Sequence, residues 1–125
     1  MILVDTSIWI SHFREGNSNL KKLLLDELVV CHPFIIGELA CGHLKNREEI
    51  ISLLKSLPKA RIVENDEILH FIENRKLMGL GLGLIDVHLL ASSLLTSSLL
   101  WTADKQLCIV SSKLHILYRE QKKRR

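Results

Sequence analysis

Only two prolines, Pro33 and Pro58, interrupt a 125-residue chain that is 47% hydrophobic. That scarcity excludes a disordered polymer everywhere except at the end of the chain. Cysteine is equally sparse: Cys31, Cys41 and Cys108 are odd in number and show no close pairing, which excludes a disulfide framework and fits reduced thiols. Cys31, His32, Cys41 and His43 match no common zinc spacing. Long hydrophobic runs are missing too, because Asp5, His12, Arg14 and their successors break every candidate membrane span. The first residues lack a basic leader and a small-residue cleavage site, so a cytoplasmic protein is expected. What remains is one folded domain with a sizeable core.

Charge is unevenly spread. The formal net charge is +3, of which +4 comes from residues 119–125 (REQKKRR), leaving −1 on the body. The expected division is therefore a domain over 1–118 and a basic tail over 119–125. Such a tail either adds affinity for phosphate backbones without sequence preference or only aids solubility.

The stretch MILVDTSIWI organises the rest. Ile2, Leu3 and Val4 read as a buried strand beginning almost at the first residue, followed by Asp5, Thr6 and Ser7 and a helix over 8–13. Ser18 or Asn19 caps a helix carrying Leu20, Leu23, Leu24 and Leu28; Leu28 to Cys31 reads as a strand, and Pro33 opens another helix. Asn46 to Leu57 is an amphipathic helix with Glu49 three residues after Asn46, a capping-box spacing, and a stripe of Ile50, Leu53, Leu54 and Leu57. A short strand over 61–64 and a helix over 66–78 follow, the latter with Ile68, Leu69, Ile72 and Leu77 on one side. Gly79, Gly81 and Gly83 form a flexible junction whose spacing, after a helix, is not a nucleotide fingerprint. Leu84 to Leu95 is a largely buried helix, 99–102 a strand, Lys105 starts a helix, and 114–118 is a last strand. Helices alternating with short apolar strands give an α/β fold with a mainly parallel sheet covered on both faces.

Four acids stand apart by position. Asp5 and Asp104 each follow an apolar strand at a helix start, which a parallel sheet brings to one edge. Asp86 opens an otherwise apolar helix, and Glu38 lies in a helix of similar character. Each of the first two could merely cap its helix. Glu48, Glu49, Glu64, Asp66, Glu67 and Glu73 lie in polar stretches and read as surface. Converging carboxylates must share a proton or bind a cation. Proton sharing gives a two-acid hydrolase and leaves two acids idle; a cation uses all four. An all-oxygen donor set suits Mg²⁺ or Mn²⁺ beside a phosphodiester. Thr6, Ser7 and Thr102 are placed to hold carboxylate rotamers or a water, and Lys105 is either a phosphate contact or an ordinary surface lysine.

The segments ILVDTSIWI (2–10), IIGELACG (35–42), GLGLGLIDVHLLASSLL (79–95) and LLWTADKQL (99–107) resemble the PIN-domain endoribonucleases, in particular the VapC-type toxins of bacterial toxin–antitoxin pairs. The resemblance spans nearly all of the chain before the tail. It implies a three-layer α/β/α domain in which Asp5, Asp86 and Asp104 are the nearer metal ligands. Glu38 completes the quartet directly or through water, and Thr102 with Thr6 or Ser7 supplies hydroxyls. It further implies cleavage of transfer RNA or a ribosomal RNA loop, a homodimer, and inhibition by a VapB-like antitoxin. That antitoxin's C-terminal segment fills the groove and its N-terminal domain binds operator DNA. The KKRR ending departs from any pattern the family requires.

Other readings are weaker or remain beside this one. Haloacid-dehalogenase-type phosphatases need an acid where Ser7 stands, and receiver domains carry theirs after a middle strand. Ser7 has no nucleophile elbow. His88 lies two residues beyond Asp86, about 200° round a helix, so it packs rather than shares an ion. Trp9 and Trp101 belong to the core or a dimer interface rather than stacking on a base, and Ile8, Trp9 and the 46–57 helix are candidates for a protein interface. An RNA-maturation nuclease of the same fold and a non-catalytic interaction module are the alternatives.

Overall fold

A computed structural model describes residues 1–120; of the basic tail, residues 121–125 lie outside the described part. The element order is β1 (Ile2–Val4), α1 (Thr6–Glu15), α2 (Ser18–Leu25), β2 (Val29–Val30), α3 (Pro33–Ala40), α4 (Arg47–Ser56), α5 (Asn65–Arg75), α6 (Leu84–Leu95), β3 (Leu99–Trp101) and α7 (Lys105–Lys113). The strands form a parallel sheet in the order β2-β1-β3, with Leu3 opposite Val30 and Val4 opposite Trp101. All three residues of β1 are buried, as a central strand with both faces covered requires. Helices flank the sheet, giving the α/β architecture expected from the alternation of elements.

At each edge the sheet gains a single bridge. Cys31 donates to the Pro58 carbonyl and accepts from the Ala60 amide, at 2.8 and 2.9 Å. Leu100 likewise donates to Ile116 and accepts from Tyr118, at 2.7 and 2.9 Å. These bridges correct two expectations. The strand expected over 61–64 is absent: pairing falls at Lys59, and Ala60 and Val63 are buried without a ladder. Over 114–118 one bridge at Leu117 replaces a strand, because α7 runs to Lys113 and His115 then takes a left-handed turn at φ 60°.

Helix ends depart locally from the sequence reading. Asn17, one residue earlier than expected, caps α2 by accepting from the Leu20 amide at 2.9 Å. Asn46 stands at the start of α4 but in a left-handed conformation with no side-chain cap, so the capping box with Glu49 does not form. In the α4 stripe only Leu54 is fully buried, and Leu53 is 43% exposed. Helix α5 stops at Arg75, three residues short of the expected end, where Lys76 turns left-handed; Leu77 still packs into the core while Leu69 stays exposed. Gly79 and Gly81 adopt positive φ, the backbone freedom that the following turn into α6 needs.

The core centres on Leu3, Trp9, Leu20, Ile35, Leu89, Leu90, Leu100 and Leu107. Trp9 is fully buried and stacked on Phe13 at 5.7 Å, and Trp101 packs on Tyr118 at 5.0 Å. Both tryptophans are therefore core residues. Ile8 and Trp9 are buried within the single chain and present no interface of their own, contrary to that expectation. No helix among the described residues is long and apolar enough to cross a membrane.

Candidate active site

Parallel pairing of β1 with β3 carries Asp5 and Thr102 to the same carboxyl edge, where the Asp5 amide donates to the Trp101 carbonyl at 2.9 Å. Open α/β sheets build their ligand sites at this edge. Asp5 is 8% exposed and both of its oxygens are engaged. Oδ1 accepts from the Thr6 amide at 2.7 Å; Oδ2 accepts from the Ser7 hydroxyl at 3.1 Å and the Thr102 hydroxyl at 2.7 Å. Asp5 does cap α1, through the oxygen that accepts from the Thr6 amide.

Thr102 links two acids. Its buried Oγ1 donates to Asp5 and accepts from the Asp104 amide at 3.0 Å. Asp104 caps α7 by accepting from the Leu107 amide through Oδ2 at 2.8 Å. Ser7 accepts from the Ala103 amide at 3.1 Å, closing a hydrogen-bonded ring between the loops that follow β1 and β3.

The other two acids approach on helices. Asp86, in the first turn of α6, accepts from the Gly83 amide through Oδ2 at 2.9 Å. Burial raises its pKa; the Gly83 bond opposes that rise, and the charges of Asp5 and Asp104 add to it. These three carboxylates therefore share one electrostatic neighbourhood despite their separation in sequence. Glu38, exposed on α3, accepts from the Thr6 hydroxyl through Oε1 at 2.8 Å. Hydrogen bonds thus connect six of the seven sequence-selected residues around the loops after β1 and β3, namely Asp5, Thr6, Ser7, Glu38, Thr102 and Asp104, while Asp86 stands apart, bonded to Gly83.

The donor set is all oxygen, which suits a hard divalent cation. One oxygen each of Asp86, Asp104 and Glu38 has no hydrogen bond among the described residues. By chemistry these residues fit Mg²⁺ or Mn²⁺. Among the described residues, however, no three acids, histidines or cysteines are close enough to form a ready-made cage. The carboxylates form a rim, with Asp5 the fixed member.

One neighbour escaped the sequence reading. The Cys108 thiol, one turn into α7, donates to the Thr102 carbonyl at 3.3 Å. Burial raises its pKa, and the charge of Asp104 adds to the rise, which favours the neutral thiol. Nothing in KQLCIV signals that contact; only the return of α7 over its own N-terminal loop creates it. Beside Glu38 a cleft of about 640 Å³ opens between α1, α3 and the start of α4, with Ile10, Phe13, Leu39 and Ile50 on its walls and Arg14, His43 and Lys45 at its rim.

The sequence matches the PIN domain family over residues 2–113, an interval that contains all four acids and their hydroxyl partners. The chain belongs to the PIN-domain family. Two relatives, both named Ribonuclease VapC32, come from Mycobacterium tuberculosis strains CDC 1551 / Oshkosh and ATCC 25618 / H37Rv. Each is 45% identical to this PIN domain over 108 residues, covering 86% of this chain and 87% of the relative. Similarity at that level over nearly the whole domain puts the chain on the VapC branch of the PIN domains.

Proposed function

We propose that this PIN domain is a metal-dependent endoribonuclease that hydrolyses RNA phosphodiester bonds. It is the toxin of a toxin–antitoxin pair and blocks translation by cutting transfer RNA or ribosomal RNA. The observation that supports the reading is the joining of Asp5 and Asp104 through the Thr102 hydroxyl at the carboxyl edge of the sheet, with the charges of both adding to the raised pKa of Asp86 on α6. Such repulsion is relieved by a divalent cation, and phosphodiester oxygens are its natural further ligands.

In this reading Asp5, Asp86 and Asp104 hold Mg²⁺ or Mn²⁺, and Glu38 joins them directly or through water. The ion, when bound, supplies activation of an attacking water and charge compensation at the phosphate. The chain's own residues do the positioning. Thr102 and Ser7 fix the Asp5 rotamer, Thr6 steadies Glu38, and the Gly83 amide holds one oxygen of Asp86. The tail at 119–125 adds affinity for the RNA backbone without choosing a sequence.

The family supplies the partners of this proposal: a second copy of the chain, and a VapB-like antitoxin that alone contacts operator DNA. The cleft beside Glu38, apolar on its walls and basic at its rim, is the seat for the antitoxin's C-terminal segment. The setting is the cytoplasm, where the RNA is.

Incubating the isolated protein with total cellular RNA and Mg²⁺ or Mn²⁺ tests the activity, with EDTA and Asp5→Asn as controls. Discrete products that vanish in both controls are expected, and end mapping then names the target. Cleavage that persists in Asp5→Asn, or none at all by the folded, partner-free protein with either metal, overturns the proposal.

A further inference from the structure

Two buried histidines beside the site have hydrogen-bonding capacity that no described residue satisfies. His32 is 0% and His88 6% exposed, and their ring centroids lie 6.4 Å apart. Phe34 closes over both, its ring 4.9 Å from one and 4.8 Å from the other. Neither His32 Nε2 nor His88 Nδ1 has a hydrogen-bond partner among the described residues. Two such orphans on adjacent rings in a core call for a physical explanation.

The tautomer of His32 is set by its neighbour. It caps α3, and the Phe34 amide donates to Nδ1 at 3.0 Å, so the neutral ring carries its proton on Nε2. Burial, aided by His88, lowers the His32 pKa to about 4, which keeps the ring neutral at physiological pH. A buried Nε2–H thus seeks an acceptor. His88 Nδ1 is one, provided that His88 also carries its proton on Nε2. With the centroids 6.4 Å apart in an edge-to-face pair, the two nitrogens stand farther apart than the about 3 Å of a direct bond, which leaves a shared water as the polar partner that would satisfy both.

We propose that one buried water joins His32 Nε2–H to His88 Nδ1, and that this link positions α3 against α6 and so sets Glu38 relative to Asp86. His32 stands at the start of the helix that carries Glu38, and His88 lies two residues beyond Asp86 on the other. The two acids less firmly held by the strand edge are thereby tied through the core. The histidines are positioning residues; their effect on cleavage rests on the ribonuclease reading, whereas the link itself does not.

Ring ¹H–¹⁵N spectra of the full chain, without RNA or metal, test the link directly. The His32 ring is expected to carry its proton on Nε2, with that proton protected from exchange and showing cross-relaxation with water. An Nδ1–H tautomer, solvent-fast exchange, or a direct through-bond coupling between the two rings overturns it. The variants then separate bonding from packing. His88→Leu keeps the bulk without an acceptor, and His88→Asn keeps an acceptor near Nδ1. His88→Leu is expected to lose the protected proton and lower kcat about tenfold with little change in KM, while His88→Asn recovers most of the rate. If Leu works as well as Asn, the histidines only fill space and the proposal fails. Should His88→Leu not fold, the wild-type spectrum and His88→Asn still decide. A wild type that cuts no RNA defeats the ribonuclease reading and leaves the ring spectra to judge the link.

Discussion

On the strand side of the site, Asp5 accepts from the Thr6 amide and the hydroxyls of Ser7 and Thr102, and Thr102 also receives the amide of Asp104. On the helix side, Asp86 accepts one amide and Glu38 one exposed hydroxyl. The strand-side network is centred on the buried Asp5–Thr102 bond and crosses between the loops after two parallel strands, so moving one member strands the others. The helix-side acids keep a free oxygen and rotameric choice. Hence the site is a fixed frame facing an adjustable rim, a division that lets a cation be met without rebuilding the core.

The hardest blow to the frame is Asp5→Asn. Asparagine caps a helix as well as aspartate does, so the fold survives, while the fixed charge disappears. RNA cleavage should fall by at least about a hundredfold with the circular dichroism spectrum nearly unchanged and Tm lowered by a few degrees, since an amide NH2 replaces one of two accepting oxygens. A variant that retains a tenth of the wild-type rate would show that Asp5 is only a cap.

Thr102→Val attacks the link inside the frame. Valine fills the same space but cannot donate to Asp5 or receive the Asp104 amide, so the buried Asp5 carboxylate loses a donor. Denaturant unfolding should show a loss of about 1–3 kcal/mol, and cleavage should drop roughly tenfold. Thr102→Ser, which keeps the hydroxyl, should sit near wild type. If valine is tolerated in both assays, the frame is not what orders the acids.

The positions of the acids were legible in the sequence, and the contacts that tie the frame together were not. Asp5 and Asp104 could be read because each follows a short apolar strand, and parallel strands send their ends the same way whatever the intervening length. Asp86 was visible as an acid in an apolar helix. The tie from Ser7 to Ala103 and the contact of Cys108 with Thr102 were hidden, since loop backbone and a buried thiol leave no periodic trace. Strand expectations failed at 61–64 and 114–118 because apolar composition reports burial, while bridging there needs only one residue. Asn46 misled for a related reason: capping chemistry at the right spacing is overridden by a left-handed turn.

On the rim, Asp86 allows a test by pH. Its pKa is raised first by burial and then by the charges of Asp5 and Asp104. A raised folded-state pKa means the native state binds the proton more tightly than the unfolded chain does. The stability it contributes is full below the ordinary carboxylate range near 3.8 and is lost as pH climbs through the raised value. Metal-free Asp86→Asn should therefore melt a few degrees above wild type at neutral pH, and the gap should close on acidification through that range. Added Mg²⁺ or Mn²⁺ should raise the wild-type Tm more than that of the variant. A gap that widens in acid would mean Asp86 is stabilised as an anion by something other than a cation.

The gentlest intervention is Thr6→Val, which removes the one hydrogen bond holding Glu38 while leaving the Thr6 amide free to cap on Asp5. Because both side-chain groups face water, stability should change by no more than about 0.5 kcal/mol. The catalytic cost should be small as well, about two- to threefold in rate, with a rise in the Mg²⁺ concentration needed for half-maximal cleavage, since an untethered Glu38 must be ordered when the ion arrives. The comparison with Thr102→Val is the point of the measurement. If losing the exposed tether costs as much as losing the buried one, then Glu38 is no adjustable member, and the frame extends across the cleft from the sheet edge to α3.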